Sequence, residues 1–270
     1  MTKPNFPIPN INFKEFQNHL SKDFVDHIRI AIQEHGIVKI DNIKLTPQEY
    51  LDLSKAIGET INLPDFLAPA KVPGYPELSR VCNFDLEQEK VDVNYAFGNY
   101  WHHDGNFWER GQHHIINGLH SKVVPEKGGA TGLLNTMAAY DALTKEQKQN
   151  LEHIEITVNP ANIEDFRNVP EEVTQGLLRF VKHKVVQQSD GKRSLYVPYT
   201  DEILMIDSKP VLHEQLFELV DHDEFKYIHY WNEDQIIFWD NLKFMHKAMG
   251  DIEGKRLLWR SQARVESIDQ

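Results

Sequence analysis

The chain has 270 residues, a formal charge of −12, and hydrophobic and charged fractions of 40% and 26%. That length suits one domain over 1–270, and the balance is that of an ordinary globular protein. The acidity excludes a nucleic-acid backbone as the main partner, no apolar run reaches eighteen residues, and a single cysteine, Cys82, excludes an internal disulfide framework. The opening MTKPNFPIPNINF lacks the basic-then-apolar order of a secretory signal, so a cytoplasmic location is expected, with no membrane association. A small-molecule substrate, even an anionic one, suits an acidic protein that holds a local cationic pocket. A homo-oligomer is left open.

The proline-rich start reads as an irregular arm. Phe16, Leu20, Phe24, Ile28 and Ile32 recur every four residues, which predicts an amphipathic helix over 16–34 stopped by Gly36. Ile37 to Ile40 reads as a strand. Thr46-Pro47-Gln48-Glu49 carries a helix start, a threonine cap with proline at the first position and an acid nearby, for a helix ending at Gly58. Residues 60–100 have no clear period and read as loops and short strands over a site. His114 to Val124 reads as extended, followed by a turn at 125–129. A helix is expected over 138–153, capped near Asp141 or Thr144, then a helical insertion over 160–180. Ser189-Asp190-Gly191 between two apolar runs is a hairpin signal. Another helix is expected over 210–221, and the last strands over 235–239, 243–246 and 256–265. Helices come early and strands dominate later, an α+β chain around a mainly β core.

The most informative stretch is Tyr100-Trp101-His102-His103-Asp104-Gly105. On an extended backbone His102 and Asp104 project to one side and His103 to the other. One imidazole and one carboxylate thus face a single ion and await a third ligand from elsewhere. Two histidines and one carboxylate leave coordination places open, the arrangement of non-haem iron(II) oxygenases; a closed structural zinc site would call for four ligands, often cysteines. His-x-Asp alone occurs by chance. Its ordered company is what gives it weight: Gly128-Gly129-Ala130-Thr131, then Trp239-Asp240-Asn241 with His246, then Arg256 and Arg260.

With these pieces the sequence resembles the TauD/TfdA family of 2-oxoglutarate-dependent dioxygenases over nearly its whole length. Trp101-His102-His103-Asp104 is similar to the family's W-H-x-D and residues 128–131 to its G-G-x-T. Residues 191–196 are similar to its "tGrraLyv" stretch, residues 239–246 to its distal D-N…H segment, and residues 256–260 to its closing R-x-x-x-R. Further likeness lies at 35–38, 45–49 and 57–59. The resemblance implies a double-stranded β-helix, or jelly roll. It implies iron(II) held by His102, Asp104 and His246, with 2-oxoglutarate and O2 as co-substrates, and oxidation of an unactivated C–H bond with release of succinate and CO2. It further implies that Arg256, with Thr131, binds the distal carboxylate of 2-oxoglutarate. Arg260 would sit near the metal-bound end or hold an acidic group of the main substrate. His246 and Arg256 are ten residues apart, tighter than the family's spacing, so the two arginines' roles are open to exchange. Asp104 argues against halogenation, since halogenases of this type replace that ligand with a small residue.

Tyr95, Phe97, Tyr100, Phe107, Trp108 and Tyr199 are candidate lining for a substrate pocket, with core positions as the plainer alternative. His103, His113, His114 and His120 are read mainly as surface or core histidines. Arg260 favours a small carboxylic acid or amino-acid derivative, in the manner of isonitrile-forming desaturases. A rival reading is a zinc-dependent hydrolase or isomerase on a cupin-like barrel. It would use the same three ligands but have no task for the Gly-Gly-x-Thr and paired arginines.

Overall fold

A computed structural model describes residues 6–62, 70–84, 98–105, 114–158, 181–198, 204–206, 209–211 and 213–265. Strand β1 (Asn10–Asn12) leads to helix α1 (Lys22–His35), strand β2 (Ile37–Asp41) and helix α2 (Pro47–Ile57). The Ser21 side chain caps α1 by accepting from the Phe24 amide, and Gly36 ends it in the left-handed conformation. Helix α2 carries the expected reciprocal cap: the Glu49 amide donates to Thr46 Oγ1 at 3.3 Å, and the Thr46 amide to the Glu49 carboxylate at 2.8 Å. Strands β3 (Glu59–Thr60), β4 (Lys71–Val72), β5 (Tyr75–Cys82) and β6 (Ile115–Val123) follow.

Next come β7 (Thr131–Asn135), α3 (Thr136–Ala142), α4 (Lys145–Leu151), β8 (Glu155–Val158) and β9 (Val181–Lys184). Strands β10 (Val186–Ser189) and β11 (Lys192–Leu195) form the expected hairpin, with Asp190 and Gly191 both at positive φ. The remainder is β12 (Leu204–Ile206), β13 (Lys209–Val211), α5 (His213–Phe217), β14 (Lys226–His229), β15 (Ile236–Asp240), β16 (Phe244–Ala248) and β17 (Leu257–Arg264).

Two sheets organise the described residues. The larger has the order β1-β2-β15-β6-β17-β5-β4, with β3 added on β17; the smaller is β14-β7-β16. Alternation along the strands sorts their side chains between two layers. Val38, Ile40, Ile116, Ile236 and Phe238 face outward and are covered by Phe24, Ile28 and Ile32 of α1 and Tyr50, Leu53 and Ile57 of α2. Ile37, Leu119, Ile237, Trp239 and Leu258 face inward and meet Leu133 of β7 and Phe244 of β16. Each such side chain, fully buried, contributes roughly 1.5–3 kcal/mol. The smaller sheet's other face, through Leu134 and Met245, packs on Tyr140, Val186, Leu195 and Tyr196. Arg256 and Arg260 share the even parity of Leu258, so both face the space between the sheets.

Several boundaries differ from the sequence reading. Helix α1 begins at Lys22, because Ser21 caps it there. Phe16 keeps its four-residue beat by packing its ring 5.0 Å from that of Phe24 from outside the helix. The helix expected over 138–153 is two helices broken at Leu143, since Thr144 starts α4 with its own reciprocal cap to Gln147. Pro210 lies in β13 opposite Met205, and the helix after it begins at His213. The stretch read as loops and short strands includes the eight-residue β5, paired along β17. The insertion expected at 160–180 lies outside the described residues. No helix among those described is long and apolar enough to cross a membrane.

Candidate metal centre and adjoining anion pocket

His102 and His246 are directly opposed across an isolated antiparallel bridge. Their backbones exchange both hydrogen bonds, His102 N to His246 O at 3.0 Å and His246 N to His102 O at 2.9 Å. This pairing sets the imidazoles side by side, with centroids 4.1 Å apart and planes tilted by 45°. Trp101 points the other way, its indole against β7, where a Cβ on Gly132 would come within 2.8 Å of it. Beyond His102 the chain is not a regular strand. It turns at Asp104 and Gly105, and the two-residue spacing still delivers both side chains to one side.

Asn241 holds that turn. Its Oδ1 accepts from the Asp104 amide at 2.8 Å, and its Nδ2 donates to the Asp104 carbonyl at 2.9 Å. Asp104 Oδ1 then lies 3.8 Å from His102 Nε2, and Oδ2 lies 3.4 Å from His246 Nε2. One ligand atom from each of the three residues falls within 4.8 Å of the others. His102 Nδ1 sits 2.8 Å from the Tyr100 carbonyl, which can only accept, so Nδ1 bears the hydrogen and Nε2 presents its lone pair.

Charge at this cluster is set by burial and by Arg260, whose Nη2 lies 2.6 Å from Asp104 Oδ2. Burial alone would raise the Asp104 carboxyl. Arg260, then His246 and His102, outweigh it and hold the carboxyl well below the usual carboxylate range. Burial, with His102 alongside, pushes the His246 imidazole well below its ordinary value. A neutral imidazole and an ionised carboxylate are the forms that ligate a cation. The donor set fits a divalent transition metal with open coordination positions, and no fourth ligand joins the group among the described residues.

The same cavity is lined by Val81, Leu119, Thr131, Trp239, Arg256 and Arg260. Arg256 is buried, at 4% exposure, with no carboxylate paired to it among the described residues, and burial lowers its guanidinium to about 10. Its Nη2 donates to Thr131 Oγ1 at 3.3 Å, and its backbone amide to Asn83 Oδ1 at 2.8 Å. The Gly-Gly of the motif makes room for it. Both glycines have positive φ; a Cβ on Gly129 would approach Arg256 Cδ to 2.9 Å, and one on Gly128 would strike the Asp251 carbonyl at 1.8 Å.

All six residues singled out in the sequence therefore line one cavity. The other described histidines do not join them. His103 is buried under Tyr196, its ring stacked at 4.7 Å, and burial lowers it to about 4. His114 lies 3.4 Å from Asp240, and His120 bonds to the Ile43 carbonyl on the outer layer. Tyr100 sets its ring 5.0 Å from that of His102. Tyr95, Phe97, Phe107, Trp108, His113 and Tyr199 lie outside the described residues. Sequence reasoning missed Trp231 and Asn83, whose contacts on Thr131 and Arg256 span 100 and 173 residues and leave no local signal.

A family model described as taurine catabolism dioxygenase TauD, TfdA family, matches residues 2–262. The chain belongs to this family of 2-oxoglutarate-dependent dioxygenases and is an oxidoreductase. It is 26% identical over 215 residues to an alpha-ketoglutarate-dependent 2,4-dichlorophenoxyacetate dioxygenase of Cupriavidus pinatubonensis, covering 72% of each chain. It is 28% identical over 212 residues to pentalenolactone F synthase of Streptomyces avermitilis, covering 69% of this chain and 68% of that one. Among solved structures, AAD-2 in complex with Mn(II) and N-oxalylglycine superposes with a TM-score of 0.77 at 19% identity, over 98% of both chains.

Proposed function

We propose that the chain binds iron(II) through His102, Asp104 and His246 and binds 2-oxoglutarate beside it. With dioxygen it oxidises an unactivated C–H bond of a small, carboxylate-bearing organic substrate. The observation that carries this reading is one cavity with three ligand atoms within 4.8 Å of one another and, on its wall, a buried guanidinium beside a threonine hydroxyl. The two facing sheets are read as a double-stranded β-helix in one domain over 1–270.

Iron(II) with 2-oxoglutarate and dioxygen supplies the oxidising power for hydroxylation or desaturation, with succinate and CO2 released. The protein's own groups do the rest. Asp104, kept ionised by Arg260, and the neutral His246 stay ready as ligands. Arg256 and Thr131 receive the distal carboxylate of 2-oxoglutarate, for which a planar guanidinium offers paired donors. The exchange of roles left open by the sequence is read in favour of Arg256 on charge: Arg260 already faces Asp104, whereas Arg256 faces no carboxylate among the described residues. Arg260, at the ligand end, balances Asp104 and is placed to orient an acidic group of the substrate. Val81, Leu119 and Trp239 keep water from the reacting carbon. The zinc hydrolase alternative has no task for Arg256 and Thr131.

Anaerobic addition of iron(II) and 2-oxoglutarate should give a visible charge-transfer band. His102→Ala and Asp104→Ala should lack it while keeping the wild-type circular dichroism. Losing the guanidinium that pairs with a buried carboxylate costs about 2–5 kcal/mol, so Arg256→Ala should raise the 2-oxoglutarate needed at least roughly 30-fold, and Arg260→Ala far less. A panel of small organic acids screened against the band should include one that perturbs it and yields succinate under air. An intact band in Asp104→Ala would remove the proposal.

A further inference from the structure

We infer that Trp231 is a positioning residue that commits the Thr131 hydroxyl to donate toward the distal carboxylate of 2-oxoglutarate; this rests on the reading of Arg256 and Thr131 given above. A threonine hydroxyl has one hydrogen to give and two lone pairs to accept with. Trp231 Nε1–H can only donate, and it does so to Thr131 Oγ1 at 3.0 Å. Arg256 Nη2, also a donor only, reaches the same oxygen at 3.3 Å. Both lone pairs are thereby taken, and no acceptor among the described residues takes the hydrogen. Thr131 is 3% exposed and lines the cavity, so the missing acceptor is a ligand atom. Beside a buried guanidinium that faces no carboxylate among the described residues, that ligand atom is anionic.

The indole is held for this task. Trp231 is 6% exposed and meets the ring of His229 at 90°, with centroids 4.6 Å apart. His229 is paired with Thr131 across β14 and β7, and its Nδ1 lies 2.8 Å from the Tyr227 hydroxyl. A run of contacts from Tyr227 through His229 and Trp231 thus ends on the one oxygen that Thr131 shares with Arg256. Donors on that oxygen also strengthen the bond its hydrogen makes. A merely space-filling tryptophan would need none of this alignment.

The test compares two five-carbon 2-oxo acids on manganese-loaded protein by calorimetry: 2-oxoglutarate, and 2-oxopentanoate, which lacks the distal carboxylate. The Trp231→Phe variant keeps most of the volume and loses the donor. It should weaken 2-oxoglutarate about fivefold, the scale of one net hydrogen bond, and leave 2-oxopentanoate nearly unchanged. In a Thr131→Val background it should add nothing. Equal weakening of both acids, or full additivity with Thr131→Val, overturns the inference while leaving the co-substrate site intact. Wild-type protein that binds both acids alike overturns the reading of Arg256 and Thr131 and this inference with it. Should Trp231→Phe fail to fold, the wild-type indole N–H resonance in zinc-loaded protein decides. It should move on saturation with 2-oxoglutarate and not with 2-oxopentanoate; a resonance that moves with neither overturns the inference.

Discussion

Asn241 does for Asp104 what a neighbouring strand would do in a regular sheet. The backbone around Asp104 is a turn, so its amide and carbonyl would go unpaired without the amide side chain that takes both, itself steadied by Asn117 Nδ2 at 3.2 Å. The carboxylate's distance to His246 depends on that clamp. Asn241→Ala should therefore fold and lose metal affinity about 10- to 100-fold, the usual effect of removing an outer partner of a ligand. Titration with manganese followed by electron paramagnetic resonance measures this, and affinity within twofold of wild type would refute it. At this scale the sequence was most legible where chemistry is carried by ligand and charge types at fixed spacing: His102, Asp104, His246, Thr131, Arg256 and Arg260. It named Asn241 only as part of a motif and was silent on the other partners that aim them. The Tyr100 carbonyl acts through backbone, and Trp231 is a core aromatic by composition and a hydrogen-bond donor only by placement.

The element that carries His246 is fixed by buried charge as well as by apolar packing. Between β15 and β16, Asp240 lies 3.4 Å from His114 and 3.1 Å from Lys243, which also reaches Asp190 at 3.1 Å in the β10–β11 turn; Ser189 Oγ donates to Asp240 at 3.0 Å. Burial opposes charge on Asp240, but His114 and Lys243 hold its carboxyl well below the ordinary range; burial likewise opposes charge on His114, and Asp240 raises it. The signs differ. A depressed carboxyl contributes stability that is full above its unfolded value of about 4 and fades as pH falls through the folded one. A raised histidine contributes stability that is full below about 6.5 and fades as pH rises through its folded value. The stability lost in Asp240→Asn should thus be greatest between about pH 4 and 6.5, on the order of 3–5 kcal/mol, and smaller at pH 9. Urea unfolding of both proteins at pH 5 and 9 tests it, and equal differences would refute it. Elements were legible in sequence where local rules decide them: the Thr46-Pro47 cap, the Asp190-Gly191 hairpin, the runs of β2, β6 and β15. They were misread where tertiary contacts decide: Phe16 shows helical spacing because it packs on α1, and Pro210 joins a strand because Met205 lies opposite.

Across the molecule, the candidate site is the place where the two sheets are joined by side-chain chemistry rather than by apolar contact alone. His246 stands on β16 of the smaller sheet, Arg260 on β17 of the larger, and His102 and Asp104 on the segment pinned between β16 and Asn241. Without a cation, Asp104 is the anion that faces Arg260 among the described residues, and the three ligand atoms crowd within 4.8 Å. A divalent ion with 2-oxoglutarate should thus stabilise the whole fold, not a loop. At ligand about 100 times its dissociation constant the gain is about 2.7 kcal/mol, and for a chain of this size each kcal/mol moves the midpoint roughly 2–4 °C. Manganese plus 2-oxoglutarate should raise Tm by about 5–10 °C, in one transition. A formal charge of −12 also lets any divalent cation stabilise weakly by screening, so magnesium is the reference. Asp104→Ala and Arg256→Ala should each erase most of the shift beyond magnesium, the first by losing the metal and the second by losing the co-substrate. A variant with Asp104 removed that still gains the full shift would mean the stabilising ion binds elsewhere, and the sheets are then held together without it.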